Sequence, residues 1–99
     1  MDFKLRIENE TVVSLARKIG YKPQAVSSEG EYSIIRILGR GDYPRFHIYV
    51  KRDNDSFIFS LHLDQKHTSY KGSHSHSGEY EGDIVEKEAE RIKNIVGTL

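Results

Sequence analysis

The sequence of 99 residues contains no cysteine. This absence excludes disulfide bonds, thiolate metal ligands and a thiol nucleophile. A zinc ion bound by this chain would therefore need histidine, aspartate and glutamate as its ligands. Long apolar runs are also absent, since no stretch approaches the roughly 18 residues needed to span a bilayer. Because the opening stretch MDFKLRIENE alternates charged with apolar side chains, we expect a cytoplasmic protein with no membrane partner.

The chain also lacks net charge, because its 15 basic residues balance 15 acidic ones. A neutral chain is not expected to bind nucleic acid mainly through bulk attraction to phosphates. The charges are unevenly divided, however. Residues 1–52 carry ten basic and six acidic residues, a net charge of +4, whereas residues 53–99 carry five and nine, a net charge of −4. A local basic patch can therefore form in the first half, around Arg36, Arg40, Arg45, Lys51 and Arg52.

What the chain does contain is clear hydrophobic periodicity. Residues 3–8, FKLRIE, alternate apolar with charged side chains, which predicts a half-buried strand. In residues 9–20 the apolar side chains recur at i, i+3, i+4 and i+7, which predicts a helix with one buried stripe. The stripe consists of Val12, Leu15, Ala16 and Ile19. Asn9 or Thr11 can cap the start of this helix, and Gly20 suits the position just past its end.

The middle of the chain predicts a meander of three antiparallel strands. Residues 21–31 are expected to form a connection, and the strands follow at 32–38, 45–51 and 57–64. The turn sequences GRGDYP and KRDNDS separate these strands. The chain is therefore expected to contain two hairpins in series.

A second helix is predicted near the end of the sequence. Asp83 and Glu86 have the spacing of a capping box at its start, and Gly97 marks its end. Its apolar stripe consists of Val85, Ala89, Ile92 and Val96. The predicted order is thus β-α-β-β-β-α in a single α+β domain spanning 1–99, with a polar histidine-rich loop at 65–82. Because each helix has one apolar stripe, we expect a two-layer sandwich in which an antiparallel meander carries both helices on one face.

The other face of the sheet is expected to be open and to carry polar side chains. In the hairpin formed by residues 45–51 and 57–64, the alternation of side chains points Arg45, His47 and Tyr49 of the first strand outward. If residues 54–55 form the centre of the turn, the outward pairs are His47 with His62, Arg45 with Asp64 and Tyr49 with Ser60. A register two residues shorter would instead pair Arg45 with His62 and His47 with Ser60. Both registers leave a polar face.

Arg36 is expected to join this face from the preceding strand. Ile35 and Ile37 would point inward to match the apolar positions of the next strand, which would turn Arg36 outward near His47. The predicted ligand-binding residues are therefore Arg36, Arg45, Tyr49 and Asp64. His47 and His62 are the predicted acid–base pair, since histidine exchanges protons near neutral pH.

These residue types suggest a function in binding or processing a phosphate-bearing ligand, either RNA or a small molecule. Arginines can hold a phosphate or a carboxylate through paired hydrogen bonds, while a histidine transfers a proton. An ordinary solvated sheet face is the simpler explanation of the same pattern. Whether the protein is an enzyme is left open by the sequence.

The histidine-rich loop suggests a different function. With the end of the preceding strand it supplies enough nitrogen and oxygen ligands for a transition metal such as zinc. The predicted ligands are His62, Asp64, His74, His76 and Glu79. The chain would then be a non-enzymatic metal-binding module, although the same loop is also explained as a solvated excursion. A protein-interaction module without catalysis, binding a partner through a sheet edge or the loop, is the third hypothesis.

Two resemblances accompany these patterns. HLDQK at 62–66, followed by HSGEY at 76–80, resembles a group of small bacterial proteins to which no activity is attached. The order of helix, meander and helix, with Gly41 shortly before His47, is similar to the HicA-type toxins. That second resemblance implies a double-stranded-RNA-binding-domain-like fold and cleavage of RNA by His47. The chain differs from the toxin pattern in its first strand, its net charge and the insertion before its last helix.

Overall fold

A computed structural model of the protein describes residues 1–65, the backbone of residues 78–79, and residues 82–99. Its strands and helices, in chain order, are β1 Asp2–Arg6, α1 Val12–Ile19, β2 Lys22–Val26, β3 Tyr32–Ile37, β4 Arg45–Asp53, β5 Ser56–Asp64, β6 Gly78–Glu79 and α2 Asp83–Val96. The predicted α+β class is confirmed, and the predicted elements appear in the predicted order. β2 and β6 are additions to the predicted list.

The sheet is antiparallel throughout, with strand order β1-β5-β4-β3-β2. The short strand β6 pairs with the end of β5, placing Gly78 opposite Asp64 and Glu79 opposite Leu63. The expectation of a plain connection at 21–31 was wrong, because β2 pairs with β3 along the edge of the sheet. Its residues, KPQAV, are all exposed and do not alternate, so a pattern search has no apolar signal to find. The proline in this strand is consistent with an edge position.

Both helices pack on one face of the sheet and share one core with it. The predicted stripe of α1 is buried, and so are three of the four predicted positions of α2. The fully buried strand residues facing the helices include Ile48, Val50, Phe57, Phe59 and Leu61. Complete burial of a side chain of this size stabilises the fold by about 1.5–3 kcal/mol. The face that these residues leave free is the one that carries the polar positions of β4 and β5.

The cap at the start of α1 matches the sequence prediction, whereas the cap at the start of α2 does not. Thr11 caps α1: its Oγ1 accepts from the Ser14 amide at 3.0 Å, and the Ser14 hydroxyl accepts from the Thr11 amide at 3.0 Å. The predicted capping box of α2 was wrong, because Gly82 is the N-cap and makes no side-chain cap hydrogen bond. Asp83 is already the first helical residue, where its charge still favours the positive end of the helix. Within the described ranges, neither helix is long and apolar enough to cross a membrane.

The register of the hairpin formed by β4 and β5 is the longer of the two predicted ones. Asp53 pairs with Ser56, which leaves residues 54–55 as the turn, and Asn54 takes a positive φ of 58°. Asparagine tolerates this left-handed conformation better than most residues. The resulting outward pairs are Arg45 with Asp64, His47 with His62 and Tyr49 with Ser60.

Arg36 lies on the opposite face from the predicted one. Ile34 pairs with Ile48 in the core, so Arg36 pairs with Phe46 on the helix side of the sheet. Ile35 is opposite His47 instead. The prediction was wrong because β3 contains two consecutive isoleucines, either of which can be the inward residue. A shift of one residue moves every side chain of a strand to the other face.

Candidate functional site

The candidate site lies on the sheet face away from the helices, where β4 and β5 run side by side. We refer to His47, His62, Asp64 and Arg45 as the histidine cluster. The two histidines are cross-strand partners whose ring centroids lie 4.7 Å apart, and Arg45 is the partner of Asp64. Period-two alternation on two paired strands is sufficient to bring these four side chains together.

Asp64 is the central group of the histidine cluster. Its Oδ1 lies 2.9 Å from Nε2 of His62, and its Oδ2 accepts a hydrogen bond from Nε of Arg45 at 3.1 Å. The same Oδ2 is 3.5 Å from Nδ1 of His47. The carboxylate is therefore shared by three basic side chains, and its negative charge is balanced by the guanidinium of Arg45.

His47 is held from two sides. Its Nε2 lies 2.7 Å from Oγ of Ser33 on β3, and its Nδ1 faces Asp64. Burial lowers the pKa of His47, and the neighbouring His62 and Arg45 lower it further, while Asp64 opposes them. The neutral imidazole is thus favoured, which is the form that binds metals and accepts protons.

Ser33 was missed by the sequence reasoning, for the same reason that misplaced Arg36. If Ile35 had pointed inward, Ser33, two residues earlier, would have pointed inward as well. In the structure Ser33 is the cross-strand partner of Tyr49 and lies on the face of the histidine cluster. The two adjacent isoleucines were the sequence signal that the other set of β3 side chains could face the helices.

The histidine cluster is more buried than an ordinary solvated sheet face. The side chains of His47 and His62 are only 12% and 10% exposed, whereas Tyr49 on the same face is an exposed residue. Among the described residues, no buried side-chain nitrogen or oxygen lacks a hydrogen-bond partner. Burial of this many polar groups is tolerated because they satisfy one another.

The remaining predicted site residues are placed as follows. Tyr49 lies beside the cluster, with its ring centroid 4.6 Å from that of His47. His74 and His76 lie outside the described residues. Glu79 is described only in its backbone, which pairs with Leu63 rather than with a member of the cluster. The predicted five-residue metal site is therefore represented in the described part of the chain by His62 and Asp64, and the structure adds His47.

Arg36 belongs to a second polar network, on the helix side of the sheet, which the sequence did not reveal. Glu88 of α2 is buried and accepts hydrogen bonds from Arg36 at 3.1 Å and from the hydroxyl of Tyr21 at 2.6 Å. Arg91 donates to both carboxylate oxygens of Glu88 at 2.8 Å. Burial and Glu88 raise the pKa of Tyr21, and the hydrogen bond to Glu88 raises the pKa of Arg91. This network joins α2 to the sheet and has its donors and acceptors matched.

Three side chains of the histidine cluster are of the types that bind transition metals. One ligand atom from each of His47, His62 and Asp64 can be chosen so that all three lie within 4.8 Å of one another. Bound to one ion at about 2.0–2.2 Å each, such atoms would lie somewhat closer together. The three side chains would therefore have to move closer together to bind an ion.

The fold and the cluster together define the class of this protein: a two-layer α+β sandwich with a His–His–Asp cluster on the sheet face opposite its helices. Comparisons of the chain with protein-family models, with curated proteins and with solved structures find no match. The two resemblances drawn from the sequence stay predictions.

Proposed function

We propose that the protein binds a divalent transition metal ion through His47, His62 and Asp64. The observation that carries this proposal is the convergence of two imidazoles and one carboxylate from adjacent strands, with ligand atoms within 4.8 Å of one another. Two nitrogens and one oxygen suit zinc and its neighbours in the first transition row better than magnesium or calcium, which prefer oxygen alone. Zinc is the ion of choice for the first test.

The contact between Ser33 and His47 supports this proposal. A metal-bound histidine usually donates its other ring N–H to an oxygen, which orients the ring and selects its tautomer. With Ser33 Oγ 2.7 Å from Nε2, that nitrogen can donate the hydrogen bond and leave the lone pair of Nδ1 directed toward Asp64. The site therefore has an outer partner as well as direct ligands.

The geometry argues against the hypothesis from the sequence that Arg36 and Arg45 together bind a phosphate. Arg36 is on the other face, bound to Glu88, and the charge of Arg45 is balanced by Asp64. This ion pair leaves the metal-free cluster without an unbalanced guanidinium to attract a phosphate. Binding of a phosphate-bearing ligand to the metal-loaded protein is therefore better supported than its binding to the metal-free protein.

A second candidate function has one specific observation in its favour. Ser33, His47 and Asp64 form a chain in which the histidine lies 2.7 Å from the hydroxyl and 3.5 Å from the carboxylate. In such a chain the histidine can act as a general base while the carboxylate orients it. Metal-independent processing of a phosphate-bearing ligand such as RNA would use this arrangement, with His62 as the second acid–base group.

Zinc titration of the protein, purified without a histidine tag and stripped with EDTA, tests the first candidate. A site that binds only the folded state raises the free energy of unfolding by about 2.7 kcal/mol at a free zinc concentration of roughly 100 times Kd. The expected result is a zinc-dependent rise in melting temperature that is lost in His62→Ala and in Asp64→Asn. A melting curve that does not respond to zinc would sink the proposal.

Two further comparisons separate the alternatives. The double variant His74→Ala/His76→Ala is expected to keep the zinc response, and loss of that response would move the metal site toward the loop. RNA cleavage in EDTA by the wild type, absent in His47→Ala and decreasing with added salt, would favour the second candidate. Equal behaviour of the two proteins would exclude it.

A further inference from the structure

Arg45 is placed to bind a ligand beside the proposed metal ion. Within the described residues the structure gives the side chain of Arg45 one hydrogen bond, from Nε to Oδ2 of Asp64. A guanidinium carries five N–H donors, so the two terminal NH₂ groups of Arg45 keep donors for another acceptor. The guanidinium also lies over the ring of Tyr43, 4.5 Å from its centroid. Such stacking holds the plane of the guanidinium in place.

A metal held by three protein ligands retains at least one coordination position for an exogenous ligand. Arg45 lies close to the proposed ion, because its guanidinium hydrogen-bonds the carboxylate that would bind the metal. An oxyanion can contact both the metal and Arg45, since one oxygen can bind the metal and another can accept a hydrogen bond from the guanidinium. A neutral ligand would leave the charge of the metal unbalanced, and a cationic ligand would be repelled by it.

The charge of the site determines when such a ligand binds. Without a metal, the charges of Arg45 and Asp64 cancel. A divalent ion gives the same group of side chains a net charge of about +2, because it is the largest local charge in the site. A phosphate monoester or inorganic phosphate carries about 1.5 to 2 negative charges at neutral pH. A carboxylate carries one and is therefore the weaker partner.

We propose that the metal-loaded histidine cluster binds a phosphate group, with one oxygen on the metal and a second accepting hydrogen bonds from Arg45. This inference rests on the proposed metal function and names the ligand class of the same site. It makes binding of metal and phosphate cooperative: phosphate binds once the metal is present, and phosphate in turn raises the affinity for the metal by the same factor.

The experiment uses the full chain loaded with Co²⁺, freed of excess metal by desalting, and titrated with inorganic phosphate. The visible absorption of Co²⁺ reports both its binding and a change of its ligands. The expected result is a saturable change of the cobalt spectrum on addition of phosphate. Arg45→Gln should still bind cobalt, although more weakly because Asp64 loses an outer partner. Its cobalt-loaded form should bind phosphate at least about tenfold more weakly than that of the wild type, because the hydrogen bond to the charged ligand is lost.

Three comparisons make the result specific. Arg45→Lys keeps the positive charge without the fork of donors and should bind phosphate with intermediate affinity. It also serves as the test variant if Arg45→Gln fails to fold in EDTA. Lys51→Gln removes an exposed charge from the same face of β4 and should behave like the wild type. Titration with acetate should give weaker binding than phosphate, and equal affinity for acetate would overturn the assignment to phosphate.

The possible failures are distinguishable. If the wild type shows no cobalt spectrum, the metal function itself is wrong, and this inference is wrong with it. If cobalt binds but the spectrum does not respond to phosphate, only the inference fails. An equal phosphate response in the wild type and Arg45→Gln would show that Arg45 takes no part, which likewise overturns it.

Discussion

Arg36 donates a hydrogen bond from Nη1 to Oε1 of Glu88 across 3.1 Å, which ties β3 to α2 on the helix side of the sheet. Glu88 is only 4% exposed, yet it is the acceptor for Arg36, Arg91 and Tyr21 together. A carboxylate buried to this degree is tolerated because its oxygens are matched by donors and its charge by guanidinium groups. The stability of the protein should therefore depend strongly on this one side chain.

Glu88→Gln is expected to reduce the free energy of unfolding by about 3 kcal/mol. The substitution removes the charge that compensates two arginines and leaves a buried polar network incompletely paired. Urea unfolding followed by circular dichroism measures the change. Glu86→Gln, on the exposed side of the same helix, is the matched control and should change stability by less than about 0.5 kcal/mol. Equal effects of the two substitutions would show that the network contributes little.

The metal-free protein is expected to lose stability as the pH falls through the range of histidine titration. The pKa of His47 is lowered in the fold by burial and by His62 and Arg45, with Asp64 opposing, whereas in the unfolded chain it has its ordinary value of 6.5. Below that pH the unfolded state binds a proton that the folded state resists, so acidification favours unfolding until the folded pKa is passed. Above it, the contribution of His47 is fully present.

Urea unfolding in EDTA at about pH 7.5 and about pH 5.5 measures this pH dependence. His47→Gln cannot titrate and should show a smaller difference between the two pH values than the wild type does. Only the difference between the pH values is compared, because the substitution also removes the contacts of His47 with Ser33 and Asp64. The same pH dependence in both proteins would contradict the role assigned to His47.

Ser33→Ala is expected to weaken zinc binding by roughly tenfold, because outer partners of a metal-bound histidine typically contribute about 10–100-fold to affinity. The physical reason is that His47 loses the hydroxyl that orients its ring. Ser60→Ala is the control, since Ser60 lies on the same face, opposite Tyr49. Competition with a chromophoric zinc chelator measures both affinities. An unchanged affinity in Ser33→Ala would remove Ser33 from the site.

Gly20→Ala is expected to destabilise the protein by about 1–2 kcal/mol, the cost of placing a side chain in the left-handed region. Gly20 ends α1 at a φ of 87°, and a Cβ atom added there would meet nothing within 4 Å. The effect should therefore come from the backbone alone. Gly41→Ala, also in open space but without a positive φ, should leave the melting temperature nearly unchanged. Similar effects of both substitutions would show that the helix end does not require glycine.

Parts of the candidate site could be predicted because they depend on local rules. Asn54 accepts the positive φ of a two-residue turn, and the turn sets the register of β4 and β5. That register alone places His47 opposite His62, and Arg45 opposite Asp64. The partner of His47 on β3 could not be predicted in the same way. Ile34 and Ile35 are equally apolar, and the choice between them depends on which one meets Ile48 beneath the helices.

The sequence by itself determined the α+β class, the buried stripe of α1, most of the buried stripe of α2 and the polar face of the central hairpin. These features follow from periodicity and turn chemistry, which act over a few residues. The tertiary structure decided that Arg36 lies on the helix side of the sheet, that Ser33 contacts His47, and that β2 extends the sheet. Each of these depends on how β3 sits against its neighbours, and a strand with two adjacent isoleucines does not specify its inward side until the core selects one of them.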